Sequence, residues 1–207
     1  MNIDKKLVQY IQKNNFKYII WDFDLVIYKL DWSVGETSHD FLGRLYTIFN
    51  KVDPTLIQDK DEFIYRLFPY TEIDLYSRKH GRNAVQEVID LFQKRELNGK
   101  DHAIPNAEVI DFIKSDKGIK HAIWSNNNLQ TIEYLLKKSK ILTRFETIAT
   151  LDNVEYPKPD ISGFEMIYDK FNKPDKKNIL MVGDSLRSDK VGAQNAGIAF
   201  FHYDKQI

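Results

Sequence analysis

The sequence predicts an α/β fold: a parallel sheet with helices on both faces, in three layers, and a block of helices inserted after the first strand. Three observations predict it. From residue 105 to residue 202, short apolar runs alternate with stretches of helical periodicity; such alternation argues for parallel pairing through right-handed crossovers. The first apolar run, residues 18–21, ends directly on Asp22 and Asp24, where the carboxyl end of a parallel strand opens into a ligand crevice. Between residues 34 and 97 only helical spacing appears, over a length far beyond an ordinary connection.

The elements follow in order. Residues 4–14 place Leu7, Val8, Tyr10 and Ile11 at helical spacing, with Asp4 as the N-cap. Residues 18–21 form a strand buried on both faces. In the inserted block, residues 34–49 line up Phe41, Leu42, Leu45, Ile48 and Phe49. Asp53 is expected to cap a helix that Pro54 starts and that runs to Phe68, where Pro69 breaks it. A short helical turn at 71–77 and a hinge at His80-Gly81 follow, then a helix over 83–97 that Asn98-Gly99 closes. Phe41, Phe49, Phe63 and Phe92 read as the core of this block. Helices are next predicted at 105–116, with Pro105 in the first turn, and at 129–139, 161–171 and 188–196; strands at 119–124, 145–150, 178–182 and 198–202.

Bulk properties narrow the function. The 207 residues suffice for one good-sized core, with or without a small accessory domain. Thirty basic residues balance thirty acidic ones, so no global field draws the chain to nucleic acid or membrane. Without cysteine, disulfides and thiolate metal sites are excluded. The polar, Lys-rich start lacks the apolar stretch of a signal peptide, and no apolar run approaches a membrane span. A cytoplasmic location is the expectation. The five histidines are scattered without ligand spacing, and none is assigned a metal role. Oligomeric state is not legible.

Chemistry-bearing residues gather at strand and loop ends: Asp22 and Asp24, Ser125, Lys158, and Asp184 with Asp189. Two carboxylates two residues apart repel unless a cation or a shared proton relieves them, and a hard divalent ion takes oxygen ligands. Three acids converge for a metal, while a hydroxyl, the N–H groups of a helix start and a cation converge for an anion. Trp21 and Trp124 each precede one of these residues, and strand alternation turns both into the core.

Four motifs in this order resemble the haloacid-dehalogenase-like superfamily, in its phosphatase branch: Asp22-Phe23-Asp24-Leu25-Val26; Ile123-Trp124-Ser125-Asn126; Tyr156-Pro157-Lys158-Pro159-Asp160; and Gly183-Asp184-Ser185-Leu186-Arg187-Ser188-Asp189. The resemblance implies a Rossmann-like core formed by residues 1–27 and 100–207, and an α-helical cap formed by residues 28–99. It implies Asp22 as the nucleophile that becomes an aspartyl-phosphate and Asp24 as general acid and base. Mg²⁺ would bind Asp22, the main-chain carbonyl of Asp24, and Asp184. Ser125 and the Asn126 N–H would hold phosphate oxygens, and Lys158 would neutralise charge. Asp189 would orient metal waters or Lys158, or else cap the helix that follows. The implied substrate is a small phosphorylated metabolite. An aspartate two residues after the nucleophile favours phosphate-ester hydrolysis over dehalogenation; a phosphomutase or phosphotransferase, and a catalytically idle binding protein, are the alternatives. Many relatives carry glycine and threonine where Leu25 and Val26 stand, so Leu25 adds bulk at the mouth of the site. The run Arg78-Lys79-His80-Gly81-Arg82 reads first as a solvated inter-helix loop and second as a contact for an anionic substrate.

Overall fold

The computed structural model describes residues 5–64 and 70–204. Helix α1 (Lys5–Asn14) leads into β1 (Tyr18–Trp21). A two-residue strand, β2 (Tyr28–Lys29), precedes the helical block of α2 (Ser38–Val52), α3 (Lys60–Ile64), α4 (Tyr70–His80) and α5 (Gln86–Gly99). The chain returns through β3 (Ile104–Pro105) and then alternates: α6 (Ala107–Ser115), β4 (Lys120–Trp124), α7 (Leu129–Lys138), β5 (Phe145–Ala149), α8 (Ser162–Lys170), β6 (Ile179–Gly183), α9 (Asp189–Ala196) and β7 (Ala199–His202).

The sheet runs β5-β4-β1-β6-β7 with every pairing parallel. β1 is central, so the Asp22 that follows it sits between the ends of β4 and β6. Side chains alternate across the sheet as period two requires. Ile19, Trp21, Ile123, Leu180 and Val182 pack with α1, α6 and α7 on one face. Ile20, Trp124, Ile179 and Met181 pack with α8 and α9 on the other. The two tryptophans therefore point to opposite faces, both fully buried. Burying each large apolar side chain contributes about 1.5–3 kcal/mol.

The helical block has its own apolar cluster, including Phe41, Phe49, Phe63, Ile73, Tyr76 and Phe92. Leu151, from the loop after β5, is buried in the same cluster and joins block to sheet. The two crossings between block and sheet lie side by side: β2 and β3 pair antiparallel, Tyr28 with Pro105 and Lys29 with Ile104. Gly99 lets them approach, because a Cβ there would lie 2.1 Å from the Asp31 carbonyl oxygen.

The structure departs from the sequence expectation at several places in and just after the block. Asp53 does not start a helix; it closes α2, and its Oδ1 accepts from the N–H and hydroxyl of Thr55. The next helix begins at Lys60, because Asp59 Oδ1 takes the Asp61 and Glu62 N–H groups. α4 is longer than the turn expected at 71–77 and reaches His80. Pro105 is strand rather than helix; Asn106 caps α6, its side chain accepting from the Val109 N–H. The expected Asp4 cap, Phe68 as the helix end and the Pro69 break lie outside the described residues.

One buried histidine gives the fold a pH dependence. His121 on β4 accepts the Trp21 indole N–H at Nδ1, 3.1 Å away, so its hydrogen sits on Nε2, 3.6 Å from Asp116 Oδ2. Burial pushes its imidazole down from 6.5 to about 4. A depressed histidine is neutral when folded, so between pH 6.5 and 4 only the unfolded chain gains its proton. The histidine's own contribution to stability is then lost as pH falls through that window, by on the order of 3 kcal/mol. Urea unfolding at stepped pH checks this: His121→Gln, which still accepts from Trp21, is expected to lose less stability than wild type between pH 6.5 and 4.

Candidate active site

Asp22, Asp24, Ser125, Asn126, Lys158 and Asp184 line one cleft of about 880 Å³. Their elements bring them together: Asp22 follows β1, Ser125 follows the neighbouring β4, and Asp184 follows the neighbouring β6. Lys158 lies in the loop between β5 and α8. Asn126 holds that loop against the β4 end: its Oδ1 accepts the Lys158 N–H at 2.8 Å, and its Nδ2 donates to the Lys158 carbonyl at 3.2 Å.

The centre is an ammonium between carboxylates. Lys158 Nζ lies 2.8 Å from Asp22 Oδ1 and 2.5 Å from Asp189 Oδ1. Lys158 and Asp189 are buried, and the two flanking acids hold the lysine above its ordinary value against the opposing pull of burial. Asp189 Oδ2 accepts the Ser185 N–H at 3.0 Å, so both its oxygens are engaged. Gly183 makes room for it; a Cβ there would lie 2.3 Å from Asp189 Oδ2.

Asp22, Asp184 and Asp189 bring carboxylate oxygens within 4.8 Å of one another. Three acids against one ammonium leave excess negative charge. Burial first, and then the Asp22 and Asp189 charges, push Asp184 up to about 7. An all-oxygen donor set with surplus negative charge fits a hard divalent cation such as Mg²⁺. Among the described residues, no histidine joins this cluster.

Asp24 faces the linker toward the helical block. Its Oδ1 accepts the Leu25 and Leu30 N–H groups at 3.1 and 2.8 Å, and its Oδ2 accepts the Trp32 indole N–H at 2.8 Å. Burial outweighs these donors and lifts its carboxyl to about 6. Leu25 makes the turn with φ of 60°, a left-handed conformation that costs a branched residue about 1 kcal/mol. Its side chain is half-exposed and lines the cleft.

The β4 end differs from expectation in one respect. The first N–H groups of α7 do not turn to the cleft: Asn128 N–H goes to Glu96 Oε2, Leu129 N–H to Asp152 Oδ1 and Gln130 N–H to Asn128 Oδ1. The cradle there is the Ser125–Asn127 turn, in which Ser125 Oγ donates to Asn127 Oδ1 at 2.7 Å and accepts the Asn127 N–H at 3.3 Å.

The helical block contributes Tyr70, Thr71 and Glu72 to the cleft, and Trp32 reaches it from the linker. None of these was singled out in the sequence. Burial, and then the Glu96, Asp24 and Asp22 charges, hold the Tyr70 phenol well above its usual value, so it stays neutral. The run 78–82 does not line the cleft. Arg78 pairs with Asp74 and with Asp160, Lys79 with Asp53, and Arg82 donates to the Leu151 carbonyl.

Comparison with known proteins agrees with the fold. The chain is 28% identical over 176 residues to the pyrophosphatase PpaX of Bacillus cereus, covering 83% of this chain and 79% of that protein. A HAD phosphatase structure from Thermococcus onnurineus superposes with TM-score 0.54 at 20% identity, covering 91% of this chain and 86% of that one. YfnB from Bacillus subtilis, solved with magnesium bound, superposes with TM-score 0.51 at 19% identity, covering 89% and 85%. The family description "haloacid dehalogenase-like hydrolase" matches residues 19–202, a span that holds every strand of the five-stranded sheet but the first residue of β1, and the chain belongs to that family.

Proposed function

We propose that this protein is a Mg²⁺-dependent phosphatase that hydrolyses a phosphoric monoester of a small metabolite through an aspartyl-phosphate on Asp22. The observation that carries this reading is the Lys158 ammonium held between Asp22 and Asp189 beside Asp184 in one cleft. The names of PpaX and of the Thermococcus onnurineus phosphatase, and the magnesium held by YfnB, support it.

In the first step an Asp22 carboxylate oxygen attacks phosphorus and the P–O bond to the leaving group breaks. Asp24 gives its proton to the departing oxygen; a carboxyl raised by burial is suited to carry one. In the second step the ionised Asp24 takes a proton from water, which attacks phosphorus, releases phosphate and restores Asp22. Lys158 neutralises the nucleophile and the transferring group. Ser125 and the Asn126 N–H hold phosphoryl oxygens. Asp22, Asp184 and the main-chain carbonyl of Asp24 would hold Mg²⁺, which supplies charge neutralisation between an anionic attacker and an anionic ester. Asp189, engaged by Lys158 and Ser185, orients the lysine.

Residues 28–99 act as a cap over the core of residues 1–27 and 100–207, presenting Trp32, Tyr70 and Thr71 to the leaving group. The cytoplasmic location remains part of this reading; among the described residues no helix is long and apolar enough to cross a membrane.

The test is hydrolysis of p-nitrophenyl phosphate with Mg²⁺ and with chelator, followed by a panel of sugar phosphates, phosphoglycolate, nucleoside monophosphates and pyrophosphate. Activity that disappears on chelation and returns with Mg²⁺ is expected. Activity indifferent to chelator overturns the metal assignment.

A further inference from the structure

We propose that Glu96, on the last helix of the block, is a positioning residue that sets the phosphate cradle at Ser125 through the side chain of Asn127. This rests on the phosphatase reading and adds to it a residue outside the four motifs.

Glu96 is buried, and a buried carboxyl group requires hydrogen-bond partners. It finds them on one loop. Oε2 accepts the Asn128 N–H at 2.8 Å, and Oε1 accepts Asn127 Nδ2 at 3.3 Å. Each oxygen keeps a lone pair for its donor in either protonation state. Because Asn127 turns its NH₂ to Glu96, its Oδ1 must face the other way, where it receives the Ser125 hydroxyl at 2.7 Å. The seryl oxygen also accepts the Asn127 main-chain N–H at 3.3 Å. The position and rotamer of Ser125 Oγ are thus settled before any ligand arrives, and only its hydrogen has to turn to meet a phosphoryl oxygen. The same face of α5 carries Val88, Ile89 and Phe92 into the apolar cluster. Glu96, four residues after Phe92, continues that stripe with a carboxylate where the spacing calls for another apolar side chain.

Glu96→Gln separates positioning from simple fastening. The Asn128 N–H can only donate, so the glutamine oxygen faces it and the glutamine NH₂ faces Asn127. Two NH₂ groups cannot bond each other, so the Asn127 amide turns over and presents NH₂ to Ser125. Packing and hydrogen-bond number survive, while the polarity at Ser125 reverses. Kinetics with p-nitrophenyl phosphate and product inhibition by inorganic phosphate are measured for wild type, Glu96→Gln, Ser125→Ala and the double variant. With Asn127 turned over, Ser125 Oγ accepts two N–H groups and its hydrogen is free for a phosphoryl oxygen. The expected result is therefore a roughly tenfold fall in both KM and the inhibition constant of phosphate, with kcat changed by less than about twofold, since the contact is made equally in ground and transition states; a rise in either constant overturns the proposal. In the Ser125→Ala background the added effect of Glu96→Gln is expected to be less than about twofold, because both act on one contact. Should Glu96→Gln not fold, Asn127→Ala removes the side chain that fixes Ser125 Oγ and is expected to raise both constants roughly tenfold; unchanged constants in that variant overturn the proposal. Unchanged KM and phosphate inhibition with a lowered melting temperature, or a full tenfold effect without Ser125, overturns the proposal. A wild type inert toward p-nitrophenyl phosphate overturns the phosphatase reading and this inference with it; an active wild type with unshifted variants overturns this inference alone.

Discussion

Asp22→Asn is expected to abolish turnover of p-nitrophenyl phosphate, by about 10⁴-fold or more, without unfolding the protein. The amide has the shape of the carboxylate but not its nucleophilic oxygen, so no aspartyl-phosphate can form. The same change removes one of the acids crowded around Lys158. The variant measured in chelator is therefore expected to melt no lower than wild type, since Lys158 keeps Asp189 at 2.5 Å. Substrate turnover and a thermal melt together decide the matter. Activity that survived Asp22→Asn would rule out the covalent scheme; loss of activity with a collapsed melt would show only that the side chain is structural.

Lys158→Met is the second large expectation, and its sign in stability is opposite. Methionine fills a similar volume but leaves Asp22 and Asp189 facing each other in a buried site without their shared cation. Breaking a buried pair by deleting one partner costs about 3–5 kcal/mol, and losing the cation that neutralises the transferring group costs about 10³-fold in rate. Denaturant unfolding with and without Mg²⁺ separates the two contributions. Added Mg²⁺ is expected to recover part of the stability, because the acids regain a counter-charge, and none of the lost rate. A variant as stable as wild type in chelator would mean that the ammonium does not hold these carboxylates together.

What was legible in the sequence is what strand ends encode locally. A short apolar run that stops on a polar side chain announces both the strand and the place where its end opens, which is how Asp22, Ser125 and Asp184 could be picked out and how Trp21 and Trp124 could be turned inward. The alternation across the two faces of the sheet follows from the same period. Contacts made only by folding were not legible. Trp32 reaches Asp24 because the linker doubles back, and nothing in its neighbours says so. Tyr70 enters the cleft from the start of α4 by tertiary placement alone. β2 and β3 are two residues each, too short for any periodicity to register. The helix expected from Pro54 was misplaced because Asp53 and Asp59 are both competent caps, and packing chose the second. Glu96 did leave a trace, as an acid at the fourth position of an apolar stripe.

The paired β2–β3 ribbon has a mechanical consequence. Both chain crossings pass through it, so if residues 28–99 act as the proposed cap, the ribbon is the place where they are expected to pivot. Leu30 and Trp32, which grip the two oxygens of Asp24, lie immediately beyond this axle. Any swing that admits a bulky guest must carry those grips along and re-aim the acid. If Asp24 delivers the proton and the block closes over the cleft as proposed, entry and proton delivery share a single degree of freedom, and a phosphate ester too large to let the block settle is expected to occupy the protein as an inhibitor rather than leave it as product.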